Sequence, residues 1–212
     1  MPPTDILRQS AEATARRPGT LRIDRATSAL LVVDIQTRLA PHVAAHSELI
    51  HRACALIDAA VRLGVPCVAT EHCAGQIGPL VPDVAGRLDA ERTFRKTRFC
   101  AADHPEFRAL LSRTARTQIV IAGMEAHVCV MQTALGIVAL GYDVFIVGDA
   151  VGSRNDRQAD RELAIARMRA AGCAVAGTET VLFEWTGGGD DAAFRDVLSL
   201  VKALPPAQNR DR

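Results

Sequence analysis

Apolar positions in this chain come in short blocks separated by helical and turn-forming stretches. Ser28-Ala-Leu-Leu-Val-Val-Asp34 is a continuous apolar run closed by an acid, the pattern of a strand buried on both faces. A helical stretch follows from about Ser47 to Leu63, with Leu49, Ile50, Ala53, Leu56, Ile57 and Ala60 at helical spacing. Gly64 ends it and Pro66 stands just beyond. Val65 to Thr70 predicts a second strand, and the Gly- and Pro-rich segment His72 to Pro82 a loop. Thr93 to Phe99 reads as a short mixed strand or turn, Glu106 to Arg113 as a helix, and Thr117 to Ala122 as a strong strand. Cys129 to Leu140 is a helix ended by Gly141, and Asp143 to Val147 a strand. Gln158 to Ala171 is a helix ended by Gly172, and Cys173 to Ala176 a strand. An amphipathic helix near Ala192 to Ala203 precedes a frayed tail.

Strands alternating with helices of this length predict right-handed crossovers and a parallel sheet covered on both faces. The expected fold is a three-layer α/β/α, Rossmann-like domain with a mostly parallel sheet. It spans residues 27–204, between an N-terminal arm (1–26) and a C-terminal tail (205–212). In such sheets chemistry collects at the carboxyl ends of the strands, near a switch in strand order. Asp34 ends the first strand, Lys96 stands in the short mixed segment, and Cys129 opens the helix after the strand at Ile119 to Ala122. Three reactive residue types therefore converge on one edge.

Composition narrows the partners. The 212 residues are 49% apolar and 23% charged, which supports one packed core and excludes disorder for most of the chain. Lys+Arg 25 against Asp+Glu 24 leaves a net charge of +1, so there is no basic excess to attract nucleic acid or an anionic membrane. No apolar run approaches the ~20 residues that span a bilayer. A small-molecule substrate is the expected partner. Arg8, Arg16, Arg17 and Arg22 are interrupted by Asp5, Glu12 and Asp24, so the arm reads as polar rather than as a transit peptide. The six cysteines have no CxxC pair and no zinc-finger spacing, and they sit mostly inside apolar runs. Reduced thiols in a cytoplasmic protein are the expectation, with no metal and no cofactor.

Placed in the first turn of a helix, Cys129 would have its thiolate stabilised by unsatisfied amides and the positive dipole end. Lys96 would add a second positive charge, and Asp34 could accept the thiol proton. Together they describe an activated nucleophile, with backbone N–H groups at hand for an oxyanion. Each residue alone also has a plain structural reading, as core thiol, strand-end cap and solvated cation.

Leu30-Leu-Val-Val-Asp34-Ile-Gln36, Lys96-Thr-Arg-Phe99 and Gly123-Met-Glu-Ala-His-Val-Cys129-Val130 resemble, in order, the motif blocks of the isochorismatase-like cysteine hydrolases. Gly64-Val-Pro66 into Thr70-Glu71, Gly148 to Arg154, and Thr178 to Phe183 look alike too. The resemblance implies a catalytic triad of Asp34, Lys96 and Cys129, cleaving a C–N bond of a small amide through an acyl-enzyme. It also implies a cis peptide between Met124 and Glu125, with the N–H groups of Glu125 and Cys129 facing the oxyanion, and a homo-oligomer. Nicotinamidases add a metal site of Asp and paired His; here Thr70 to Pro79 offers His72 alone, which points to a metal-independent amidase-type enzyme. A catalytically silent scaffold on the same fold and a redox-responsive thiol protein are the alternative readings.

Four further residues are expected at a pocket wall: Gln36, Phe99, His127 and Trp185. His42, His46 and His51 read as a lightly packed surface, and Gly187-Gly-Gly189 as a flexible turn because no Lys-Ser/Thr follows it.

Overall fold

The computed structural model describes residues 22–206; most of the expected N-terminal arm and all but the first two residues of the expected tail lie outside them. Six strands form one sheet: β1 (Ser28–Val33), β2 (Cys67–His72), β3 (Thr93–Lys96), β4 (Gln118–Met124), β5 (Asp143–Gly152) and β6 (Ala174–Ala176). Their order is β3-β2-β1-β4-β5-β6 and every pairing is parallel. The chain runs outward from β1 to β3, returns to β4, and runs outward again. The switch in order therefore falls between β1 and β4.

Six helices of nine residues or more cover the sheet: α1 (His46–Leu63), α2 (Pro105–Arg113), α3 (Met131–Ala139), α4 (Gln158–Ala170), α5 (Thr178–Thr186) and α6 (Phe194–Ala203). Strand residues alternate between two cores. Leu30, Val32, Cys67, Ala69, Val120 and Ala122 face α1, α5 and α6. Ala29, Leu31, Val33, Val68, Ile119 and Ile121 face α2, α3 and α4. All six β1 residues are buried, the burial on both faces that a continuous apolar run dictates. Among the described residues no helix is long and apolar enough to cross a membrane.

Three elements differ from the sequence expectation. The helix that carries the cysteine opens at Ala126 as a π-helical turn (Ala126–Val130), so Cys129 closes the first turn rather than starting it. The helix α5, which the apolar pattern does not reveal, is capped from a distance: Thr178 N–H and Oγ1 both donate to Asp149 Oδ1 at 2.8 Å. The loop after β2 contains two single helical turns, Ala74–Ile77 and Pro82–Ala85.

Where β1 and β4 meet at the switch, the backbones nearly touch. A Cβ on Gly123 would fall 2.0 Å from Val33 O, and Gly123 holds φ +134. Only glycine fits that approach. Across β4, the register to β5 slips: Ile121 pairs with Ile146 but Gly123 with Val151, so Ala122 alone faces residues 147–150. This bulge carries the end of β5 forward beside the end of β4.

Candidate active site

Asp34 follows β1 at the switch point and takes φ +51, a left-handed conformation that Asp tolerates better than most residues. Its carboxylate is bonded at both oxygens. Lys96 Nζ donates to Oδ2 at 2.6 Å and Thr70 Oγ1 donates to Oδ1 at 2.6 Å. All three side chains are buried. Lys96 ends β3, two strands away, and reaches across because β3, β2 and β1 lie in register, with His72 opposite Lys96 and Thr70 opposite Val33.

Cys129, 6% exposed, packs in the core on the same face as Val33 and Val68. Its thiol interacts with both Asp34 and Lys96. The structure thus brings the three sequence-derived residues together. Their electrostatics differ from the expectation, however. Burial pushes the thiol up strongly, the Asp34 carboxylate pushes it further, and Lys96 opposes them only in part. Desolvation is the largest of these effects, so the direction is opposite to the lowering expected from the helix start and Lys96.

The turn that carries Cys129 is held by residues that follow β5. The Met124–Glu125 peptide bond is cis. Glu125 O accepts from Val128 N–H (3.1 Å) and Val130 N–H (3.2 Å), on either side of Cys129. Glu125 Oε1 accepts from Arg154 N–H (3.1 Å) and Arg154 Nε (2.8 Å). His127 Nδ1 and Ser153 Oγ share a hydrogen bond of 2.9 Å.

Thr70 is the contributor that sequence reasoning missed. Its one legible signal is alternation: Val68 faces the core that holds Cys129, so Thr70 and His72 face the same way. The His72 ring lies 5.0 Å from that of Phe99, tilted by 35°, and Phe99 is 48% exposed at the rim. Burial, then Lys96, hold the imidazole below its ordinary value, against smaller opposing effects of Asp34 and the Arg98 backbone. Phe99 is tied to α3 through its carbonyl, which accepts from Thr133 Oγ1 at 3.3 Å.

Two expected wall residues stand elsewhere. Trp185, 1% exposed, packs in the core on the opposite face of the sheet from Cys129, because α5 covers that face. Gln36 spends its amide on backbone. Nε2 donates to Gly78 O (2.5 Å) and His72 O (3.0 Å), and Oε1 accepts from His72 N–H (2.8 Å). It fastens the loop after β1 to the end of β2 rather than lining a pocket. Four surface cavities of about 270, 650, 490 and 220 Å³ are lined by none of Asp34, Lys96 and Cys129.

Fold and cluster together define a doubly wound α/β protein with a buried thiol, carboxylate and ammonium at its switch point. The isochorismatase domain model matches residues 28–180, and the chain belongs to the isochorismatase family. It is 30% identical over 194 residues to isochorismatase domain-containing protein 2 of Xenopus laevis, covering 92% of each chain. Among solved structures it is similar to the MAR1 ribonuclease of Caenorhabditis elegans, at 31% identity and TM-score 0.83 over 91% of this chain and 98% of that one. It is also similar to the YcaC gene product of Escherichia coli, an octameric hydrolase of unknown specificity. The figures there are 28% identity and TM-score 0.79, over 85% of this chain and 90% of that one.

Proposed function

We propose that this protein is a cysteine hydrolase that cleaves the C–N bond of a small, uncharged amide. One observation carries the reading: a fully buried Asp34–Lys96 pair beside the Cys129 thiol, at the carboxyl ends of the strands. A buried ion pair is a costly way to stabilise a core, and it is well suited to moving a proton. In the proposed cycle, Asp34 takes the thiol proton as Cys129 Sγ attacks the carbonyl carbon. The electron pair of the C=O bond moves to oxygen, where the Glu125 and Cys129 N–H groups receive it. Asp34 then gives the proton to the amide nitrogen, the C–N bond breaks, and the amine leaves an acyl-cysteine. Water attacks that thioester as Asp34 takes its proton, the C–S bond breaks, the acid departs, and Asp34 returns the proton to Sγ to restore the thiol. Lys96 holds the Asp34 carboxylate in place through these steps.

The substrate is assigned as uncharged because the cluster's two ions cancel each other and His72 is held towards neutrality. The redox alternative fits less well, since oxidation follows thiolate character and this thiol is pushed up. A ribonuclease reading draws on the C. elegans likeness. Against it, the net charge is +1 and Lys96 is committed to Asp34 rather than open to phosphate. All six cysteines are free, which suits a reducing cytoplasm, and the E. coli likeness supports a homo-oligomer.

The deciding experiment is acyl trapping. The protein is exposed to a panel of small amides and to p-nitrophenyl acetate, quenched in acid and digested. The expected result is an acyl group on the Cys129 peptide and loss of turnover in Cys129→Ala. Equal turnover in that variant overturns the reading, and RNA cleavage that survives in it favours the ribonuclease.

A further inference from the structure

The motif 148–154 resembles the family's but has no part in the cycle above, and the structure shows what it touches. Bulged β5 delivers Ser153 and Arg154 to the end of β4. They are themselves firmly held. Arg154 pairs with Val43 in an antiparallel bridge, Ala44 N–H donates to Ser153 O (3.1 Å), and Gln158 Nε2 donates to Ser153 O (3.0 Å) and Arg154 O (2.9 Å). Arg161 Nε, from α4, donates to Val151 O at 3.0 Å, just upstream. From this fixed base, Arg154 grips Glu125 with a main-chain and a side-chain donor, and Ser153 grips His127. Glu125 and His127 are the residues four and two positions before the nucleophile. The turn that runs from Glu125 to Cys129 carries both amides assigned to the oxyanion.

We infer that Ser153 and Arg154 are positioning residues that aim the Cys129 turn, so that its amides meet the oxyanion when the substrate carbonyl is attacked. This rests on the hydrolase reading and adds to it a division of labour. Asp34 and Lys96 handle the proton, while the end of β5 sets the geometry of the acceptor. Neither residue touches the reacting atoms; both act through the turn. The Arg154 side chain is 44% exposed while Glu125 is 11%, so the guanidinium can be removed with little loss of buried packing. An ordinary exposed ion pair contributes only about 0–1 kcal/mol to stability. Arg154→Ala keeps the main-chain donor to Glu125, and Glu125→Gln removes the charge that the guanidinium pairs with, so a functional effect shared by both variants would not come from a stranded carboxylate.

The test compares two reactions of the same thiol. Acylation by p-nitrophenyl acetate passes through an oxyanion; disulfide exchange with methyl methanethiosulfonate does not. Arg154→Ala is expected to slow acylation of Cys129 at least tenfold while exchange stays within twofold and the melting temperature is nearly unchanged. Arg154→Lys, which keeps a cation near Glu125, is expected to recover part of the acylation rate. Ser153→Ala is expected to act in the same direction more weakly. Glu125→Gln serves as the second probe of the same contact, with the same split between the two reactions. If wild type acylates Cys129 and Arg154→Ala does so within twofold, or if both reactions fall together, the inference fails and the hydrolase reading stands. If wild type shows no Cys129-dependent acylation, both fall.

Discussion

Lys96 Nζ lies 2.6 Å from Asp34 Oδ2, and solvent reaches 0% of the one side chain and 1% of the other. Each ion is tolerable in the core only because the other is there, which makes their loss strongly non-additive. Asp34→Asn or Lys96→Met alone is expected to cost about 3–5 kcal/mol of stability, because each strands a buried charge. The double variant is expected to be more stable than either single one, and Cys129 acylation is expected to vanish in all three. Denaturant titration of the four proteins closes the cycle. Additive losses would mean that the two ions are not coupled.

Burial and the neighbouring Asp34 carboxylate push the Cys129 thiol up, so its ionisation is expected at a pH above that of an ordinary thiol. Below that pH the thiolate fraction rises tenfold per unit. Iodoacetamide labelling of Cys129 in the substrate-free protein is therefore expected to accelerate steadily from neutral pH to above pH 10. A plateau between pH 6 and 8, read by mass spectrometry of the labelled peptide, would show a preformed thiolate instead.

Burial also raises Cys54 and Cys173 to about 11 and Cys67 to about 12, from an ordinary 9.0. The folded state holds these protons more tightly than the unfolded chain. Their contribution to stability is intact below pH 9 and drains away as pH rises towards 11–12. The melting temperature is expected to fall between pH 8 and 11, and to fall by less in Cys67→Ala. An unchanged slope in that variant would contradict the assignment.

Thr70→Val keeps the shape of the side chain but removes the donor to Asp34 Oδ1. A hydrogen bond to a charged group contributes about 1.5–3 kcal/mol. The variant is expected to lose stability of that order and to acylate Cys129 at least tenfold more slowly. Acylation at the wild-type rate would mean that Lys96 alone orients the carboxylate.

Trp185→Phe separates the two faces of the sheet. It is expected to destabilise by about 1–3 kcal/mol through lost packing and to leave Cys129 acylation within twofold. A large drop in acylation with little change in stability would return Trp185 to the substrate pocket.

The strands, and the meeting of Asp34, Lys96 and Cys129 at their ends, were legible because both rest on local signals. A run such as Leu30 to Val33 is apolar throughout for one reason, burial on both faces, and strand ends in a parallel sheet are where reactive groups gather. What escaped was non-local. Thr178 to Thr186 reads Thr-Glu-Thr-Val-Leu-Phe-Glu-Trp-Thr, rich in residues that favour strands. It is a helix because Asp149, on another strand, caps it. Trp185 was misplaced for the same reason, since composition counts aromatics without saying which face they cover. The pushed-up thiol follows first from the burial of Cys129 and then from the Asp34 carboxylate beside it, neither of which spacing along the chain encodes.

Residues 147–150 of β5 stand opposite Ala122 alone. That surplus length works as a shim between two otherwise regular halves of the sheet. Trimming or padding it would retilt Ser153 and Arg154 without moving Asp34, Lys96 or Thr70, which belong to the β1–β3 half. On the proposed mechanism, this segment is a place to retune which carbonyls the thiol would meet apart from the residues assigned to the proton.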